Sequence, residues 1–172
     1  MYFPLHPDTP VQGLLLKDLF AGRAVDLEAM YTRMKSLMDA ENLPYGRRTH
    51  TYNSRLAQEL AKCADSQPGF EAIHGALYRA YFVDGRNIGD LDVLTDVAQS
   101  VGLPPDAARK VLTQGIFKQA VDADWGRARR YGVTGVPTFV AGGYKLVGAH
   151  SYGVLAQQLI AAGAQPKQPS VN

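Results

Sequence analysis

Apolar side chains recur every three or four residues through most of positions 26–131, and this spacing predicts a series of amphipathic helices. The first helix is predicted over residues 27–40, directly after Asp26, a residue type that favours helix N-caps. Its apolar stripe begins at Leu27 and ends at Met38. Later helices are predicted from Asn53 or Ser54 to about 64, over 70–83, over 90–101, from 104 onward, and over 116–131. We therefore expect the middle of the chain to be a helical array.

The periodicity changes beyond residue 131. Residues 137–141 and 144–147 are short β-prone runs, and the Gly142-Gly143 pair between them predicts a two-residue hairpin turn. Ser151 then precedes a closing helix whose apolar side chains again follow the helical period. The chain is therefore predicted to end on a β-hairpin and a helix.

The first residues predict extended chain rather than helix. Pro4, Pro7 and Pro10 exclude a helix interior, and each proline biases its predecessor toward β or polyproline geometry. A short strand is therefore expected at residues 2–5. At the other end, the polar, proline-containing residues 165–172 are expected to fray.

Length and charge narrow the class of protein. The 172 residues favour one domain, with or without an insertion. The formal net charge of +2 is small, and its acidic and basic residues are mixed along the chain. This distribution does not predict a nucleic-acid partner. No apolar run approaches the length of a membrane span, so no membrane partner is expected either.

The single cysteine, Cys63, excludes an intramolecular disulfide and favours a reducing compartment. Because residues 1–7 also lack the pattern of an export signal, we expect a cytoplasmic location. Cys63 lies on the apolar stripe of its predicted helix, which favours a buried hydrophobic role over a reactive thiol beside Lys62. The four histidines show no metal-ligand spacing, and no metal or cofactor is expected.

The sharpest local feature is the segment from Gly132 to Val140, which reads Gly-Val-Thr-Gly-Val-Pro-Thr-Phe-Val. Two glycines frame a tight turn between the end of a long helix and a strand that begins at Pro137. Such a proline is a candidate for a cis peptide bond, although a trans proline at the start of an edge strand fits the spacing equally well.

This loop, followed by a hairpin and a helix, resembles the cis-proline loop of the DsbA-like thioredoxin superfamily. Motifs at residues 3–8, 52–57, 77–82 and 89–94 resemble its FrnE-like branch, which is related to 2-hydroxychromene-2-carboxylate isomerases. The resemblance extends from residue 1 to about residue 162. It implies an α/β fold of thioredoxin type with an incomplete sheet and a large all-helical insertion.

The implied organisation has four parts. An N-terminal strand and loop of the thioredoxin-like domain occupy residues 1–25, and the helical insertion occupies residues 26–114. The C-terminal half of the thioredoxin-like domain, with the proline loop, hairpin and closing helix, occupies residues 115–164. Residues 165–172 form the tail.

The chain departs from the family at its start. In the family, a strand and a helix with Cys-x-x-Cys, or with serine in the isomerases, precede the segment that begins here at Met1. The resemblance therefore implies a thiol-disulfide oxidoreductase-like protein, but no catalytic residue can be carried over, and the chain as given is expected to be inactive or truncated. A glutathione-dependent isomerase-like protein and a non-catalytic binding or scaffold protein are the alternatives. A bare sheet edge also predicts a homodimer.

The resemblance implies two groups of binding residues. Thr134, Gly135, Val136 and Pro137 would form the loop that faces an extended peptide or thiol substrate. Arg48, Asn53 and Ser54 would lie near a helix N-terminus, where an anion or glutathione could bind as a ligand. An N-cap role for Asn53 or Ser54, with solvated arginines, is equally consistent with the pattern.

Overall fold

The computed structural model describes residues 1–165, and the predicted tail falls almost wholly outside these residues. Its elements are, in chain order, β1 (Leu14–Leu15), α1 (Leu16–Leu19), α2 (Leu27–Ala40), β2 (His50–Thr51), α3 (Arg55–Asp65), α4 (Ile73–Tyr78), α5 (Leu91–Ser100), α6 (Pro105–Gln114), α7 (Lys118–Arg130), β3 (Thr138–Ala141), β4 (Tyr144–Val147) and α8 (Tyr152–Ala161). The described chain divides into a larger unit, made of Tyr2 and residues 4–123, and a smaller unit, made of Met1, Phe3 and residues 124–165.

The core of the larger unit forms around α3, which packs against α4, α5 and α6. Seven of the 11 residues of α3 are buried, and Leu60 is fully enclosed together with Ile73 of α4 and Leu94 of α5. Burying one such side chain stabilises a fold by about 1.5–3 kcal/mol, so these contacts account for much of the stability of this unit. The structure therefore confirms the predicted helical array, which has a hydrophobic core of its own.

Helix α2 has the predicted bounds but contributes no buried residue to that core. It starts where expected because Asp26 Oδ1 accepts hydrogen bonds from the backbone N–H groups of Glu28 and Ala29, at 2.9 and 3.0 Å. These bonds satisfy two donors that a helix start otherwise leaves open. The cap sets the position of α2, while its apolar stripe stays partly uncovered.

The predicted helix over 70–83 begins at Ile73 and changes at Arg79 into a π-helical turn, Arg79–Val83. Gly46 lies against this turn and donates its N–H to the carbonyl of Phe82 at 2.8 Å. A Cβ at position 46 would stand 2.0 Å from the carbonyl oxygen of Val83, so the close approach requires glycine.

The predicted strand at residues 2–5 is wrong, because the structure has irregular chain there. Pro4 lacks the backbone donor that a strand ladder requires. The sheet of the larger unit instead pairs β1 with β2 in antiparallel register, Leu14 opposite Thr51 and Leu15 opposite His50. Two residues per strand are too few to produce a periodic signal in the sequence.

In the smaller unit, β3 and β4 form the predicted antiparallel hairpin, with Phe139 opposite Leu146. The turn residues Gly142 and Gly143 both have positive φ, 52° and 83°, which is the geometry that favours glycine in two-residue hairpins. A Cβ at Gly142 would also lie 2.8 Å from Ala162, just beyond the end of α8. The glycine therefore allows the turn to approach the closing helix.

Candidate substrate loop and basic cavity

The proline loop begins where α7 ends. Gly132 has φ +60° and donates its N–H to the carbonyl of Arg129 at 2.9 Å, and Val133 donates to Ala128 at 3.0 Å. These bonds close the helix in the manner of a glycine C-cap. Lys145 Nζ donates to the carbonyl of Gly132 at 2.6 Å and so ties the start of the loop to β4.

The four predicted loop residues, Thr134 to Pro137, lie between α7 and β3 in the smaller unit, and the Val136–Pro137 peptide bond is cis. The loop is held at both sides, because Thr138 Oγ1 donates to the carbonyl of Gly135 at 2.6 Å and Gly148 donates to the carbonyl of Pro137 at 2.8 Å. Val136 is 52% exposed. Within residues 1–165 its backbone N–H and C=O make no hydrogen bond.

Asn53 and Ser54 use their polar atoms inside the protein. Asn53 Oδ1 accepts from the N–H of Arg55 at 2.9 Å, and its amide donates to the carbonyls of Pro7 and Thr9, at 2.8 and 3.2 Å. Ser54 Oγ accepts from Gln58 Nε2 at 3.0 Å. These bonds fix the start of α3 and hold the N-terminal loop to it. Anion contact by these two residues stays a prediction.

Arg48 lies in a different environment from these two residues. Its guanidinium stacks 4.4 Å from the ring centre of Tyr81 and 4.8 Å from that of Phe82. One terminal nitrogen is 3.5 Å from the carbonyl of His50, which is longer than an ordinary hydrogen bond. The buried Nε has no hydrogen-bond partner in the part of the chain that the structure describes.

The adjacent Arg47 is paired. Its two terminal nitrogens donate to the two carboxylate oxygens of Glu28 at 2.6 and 2.5 Å, and its guanidinium lies 4.4 Å from the ring centre of Tyr31. The hydrogen bond from Arg47 lowers the pKa of Glu28 below its ordinary value, and the same bond raises the pKa of Arg47. Arg47 is therefore a bidentate anchor for α2.

Both arginines line a cavity of about 490 Å³ in the larger unit, a feature that the sequence did not predict. Its walls come from β1, α1, α2, the segment before β2 and the π-helical turn. They include Leu16, Leu27, Met30, Met34, Tyr45 and Phe82. The available signal was the apolar stripe of α2, of which Leu27, Met30, Tyr31 and Met34 line this cavity.

Cys63 is buried, with 5% of its surface exposed, as the sequence predicts. Burial raises the pKa of its thiol above the ordinary value, while the hydrogen bond from Gln67 to its sulfur, at 3.5 Å, acts in the opposite direction and is the smaller effect. Because the thiolate is the reactive form, this environment disfavours nucleophilic chemistry at Cys63.

Two further findings concern the described residues only. In positions 1–165 no three side chains of the His, Cys, Asp or Glu type come close enough to hold a metal ion together. None of the helices in the same stretch combines the length and the apolar character needed to cross a membrane.

Comparison with known proteins identifies relatives of this chain. The crystal structure of a probable DsbA oxidoreductase from Streptomyces coelicolor superposes with a TM-score of 0.82 and 28% identity, over 99% of this chain and 77% of that one. YwbO, an uncharacterized protein of Bacillus subtilis (strain 168), is 34% identical over 77 residues. This match spans 42% of the present chain and 37% of YwbO, well under two thirds of the relative's length.

A family model for the DsbA-like thioredoxin domain matches residues 2–160, nearly all of the described chain. The α/β fold predicted from the proline loop and the helical array is confirmed by this match and by the Streptomyces structure. The chain therefore belongs to the DsbA-like thioredoxin domain family.

Proposed function

We propose that this chain acts in thiol-disulfide exchange as the substrate-binding part of a DsbA-like protein, and that its own residues do not catalyse the exchange. The proposal rests on the conformation and exposure of the proline loop. Val136 is exposed and offers a backbone donor and acceptor that the described protein leaves free. An extended peptide can pair with such groups by strand addition, in which the main chain supplies most of the affinity.

The thiol chemistry supports the second half of the proposal. Dithiol exchange requires one thiolate that attacks a disulfide and a second thiol that resolves the mixed disulfide. The 172 residues contain one cysteine, and it is buried with a raised pKa. Exchange at this chain therefore depends on thiols from outside these 172 residues.

A titration followed by amide NMR tests peptide binding. Carboxymethylated insulin B chain, an extended peptide without free thiols, should shift the amide signals of residues 134–136 most strongly. A Val136→Ala variant should keep its affinity within about twofold, because the contacts are made by the backbone. A B chain with N-methylated amides should bind much more weakly. Unchanged signals at residues 134–136 would contradict the proposed loop function.

An insulin-reduction assay with dithiothreitol tests catalysis separately. The purified chain should accelerate the reaction no more than the Cys63→Ser variant does, because the only thiol is buried. Turnover that is present in the wild type and lost in Cys63→Ser would assign the chemistry to Cys63 and reject this half of the proposal.

A non-catalytic binding or scaffold protein is the second candidate, and the burial of the only thiol favours it. It differs from the first candidate in its targets: a scaffold would retain partners that lack cysteine and show no preference for disulfide-containing peptides. Membership of the FrnE-like branch, glutathione as a ligand and a cytoplasmic location stay proposals that rest on the sequence motifs and the cysteine count.

A further inference from the structure

The cavity beside α2 has the volume and the apolar lining of a small-molecule binding site. Its volume of about 490 Å³ falls within the range of small-molecule pockets, about 300–1,000 Å³. Two methionines of α2, Met30 and Met34, contribute to the lining and are 41% and 40% exposed. Together with Leu15, Leu16 and Leu27 they form an aliphatic surface, and methionine adapts its shape to flexible ligands.

The charged residues that line the cavity indicate which polar group its ligand carries. Lys17, Arg47 and Arg48 line the cavity, and Glu28 is the single acidic residue among the lining side chains. Both carboxylate oxygens of Glu28 already accept hydrogen bonds from Arg47, so Glu28 does not neutralise the positive charge of Arg48. Arg48 stacks on two rings and has a buried Nε without an acceptor in the described residues. No carboxylate of the cavity lining therefore neutralises the charge of Arg48, and a guanidinium is a group that binds carboxylates well.

We propose that this cavity binds a medium-chain aliphatic monocarboxylate, with the carboxylate at Arg48 and the alkyl chain along the leucine and methionine side chains of α1 and α2. Arg48 is already oriented by its stacking on Tyr81 and Phe82, so little side-chain entropy is lost when the carboxylate binds. Arg47 and Glu28 neutralise each other. Of the two remaining cationic lining residues, Lys17 and Arg48, Arg48 is the one stacked on aromatic rings, so we assign the single carboxylate to it.

Isothermal titration of the full chain with three ligands tests the charge preference. Decanoate should bind, decyltrimethylammonium should bind at least tenfold more weakly, and acetate should show no measurable binding, because the site requires both an anion and an alkyl chain. Each ligand is used below its micelle concentration. Equal binding of the two ten-carbon ligands, or no binding of decanoate at millimolar concentration, overturns the proposal.

Variants of the two charged groups should change affinity in opposite directions. Arg48→Gln should weaken decanoate binding about tenfold or more, as expected for loss of a charge-assisted hydrogen bond. Glu28→Gln should strengthen it severalfold, because it removes the negative charge and frees Arg47. Arg109→Gln is the matched control, since Arg109 pairs with Asp92 and does not line the cavity. Unchanged affinity in Arg48→Gln overturns the proposal.

A third variant covers the case in which Arg48→Gln fails to fold. Met34→Glu places a negative charge on the cavity wall at an exposed position of a helix with no buried residues. It should retain the circular dichroism and the urea midpoint of the wild type and lose at least tenfold in decanoate affinity. A folded Met34→Glu protein that binds decanoate like the wild type rejects the cavity as the site.

Discussion

Neighbouring arginines at positions 47 and 48 show how little a residue type says about its role. Arg47 donates two hydrogen bonds to the carboxylate of Glu28, 19 residues earlier in the chain. Arg48 instead stacks on the rings of Tyr81 and Phe82. Both sets of partners are distant in sequence, so no local pattern distinguishes the two arginines. The sequence indicated an anion-binding residue at Arg48, but the cavity around it became visible only in the folded chain.

The buried thiol of Cys63 predicts a specific pH dependence of stability. Burial raises the pKa of the thiol in the folded state, so its favourable contribution is fully present below the unfolded value, about 8.5, and is lost as pH rises toward the folded value. Urea unfolding of the wild type and of Cys63→Ala between pH 7 and pH 10 measures this effect. The stability difference between the two proteins should shrink at alkaline pH, and a constant difference would show that the thiol is not desolvated.

At the scale of the element, α2 depends on its cap more than on its packing. The helix buries no residue, while Asp26 satisfies two of its open N–H donors. Asp26→Ala should therefore lower the local stability of α2 by about 1 kcal/mol, measured by amide hydrogen exchange in the first turn. Asp26→Asn keeps an acceptor oxygen and should stay close to the wild type. Equal exchange in Asp26→Ala would show that the cap bonds are not important in solution.

Elements with strong local signals were predicted well. The bounds of α2 follow from Asp26 and the apolar stripe, and the bounds of β4 follow from a β-prone run after a glycine pair. The strand predicted at residues 2–5 failed because proline and β propensity do not create a pairing partner. The π-helical turn at Arg79–Val83 gave no sequence signal, since the aromatic spacing of an α-helix extends smoothly through it.

At the scale of the whole molecule, the sequence predicted the fold more completely than the candidate site. The motifs in the proline loop and the helical array led to the family, because they reflect backbone requirements such as glycine turns and helix caps. The basic cavity was missed because a periodic stripe shows which face of a helix is apolar, but not what covers that face. On α2 the first part of the stripe, from Leu27 to Met34, lines the cavity.

The smaller unit supports the homodimer that we propose for this chain. In the described structure β3 and β4 pair only with each other, so each strand keeps a free edge. Phe139 and Val140 on β3, with Leu159 and Ile160 on α8, are between 39% and 58% exposed. Free edges and exposed apolar side chains favour pairing with another chain, and a twofold arrangement closes the assembly at two copies.

Sedimentation equilibrium at micromolar concentration tests this assembly. The wild type should sediment as a dimer, and Val140→Lys should shift it toward monomer, because a lysine on an edge strand opposes further pairing. Leu37→Lys is the control, since it adds the same charge at an exposed apolar position of α2 in the larger unit and should leave the dimer intact. A well-folded wild type that sediments as a monomer at every concentration would mean that these apolar side chains do not form an interface between two copies.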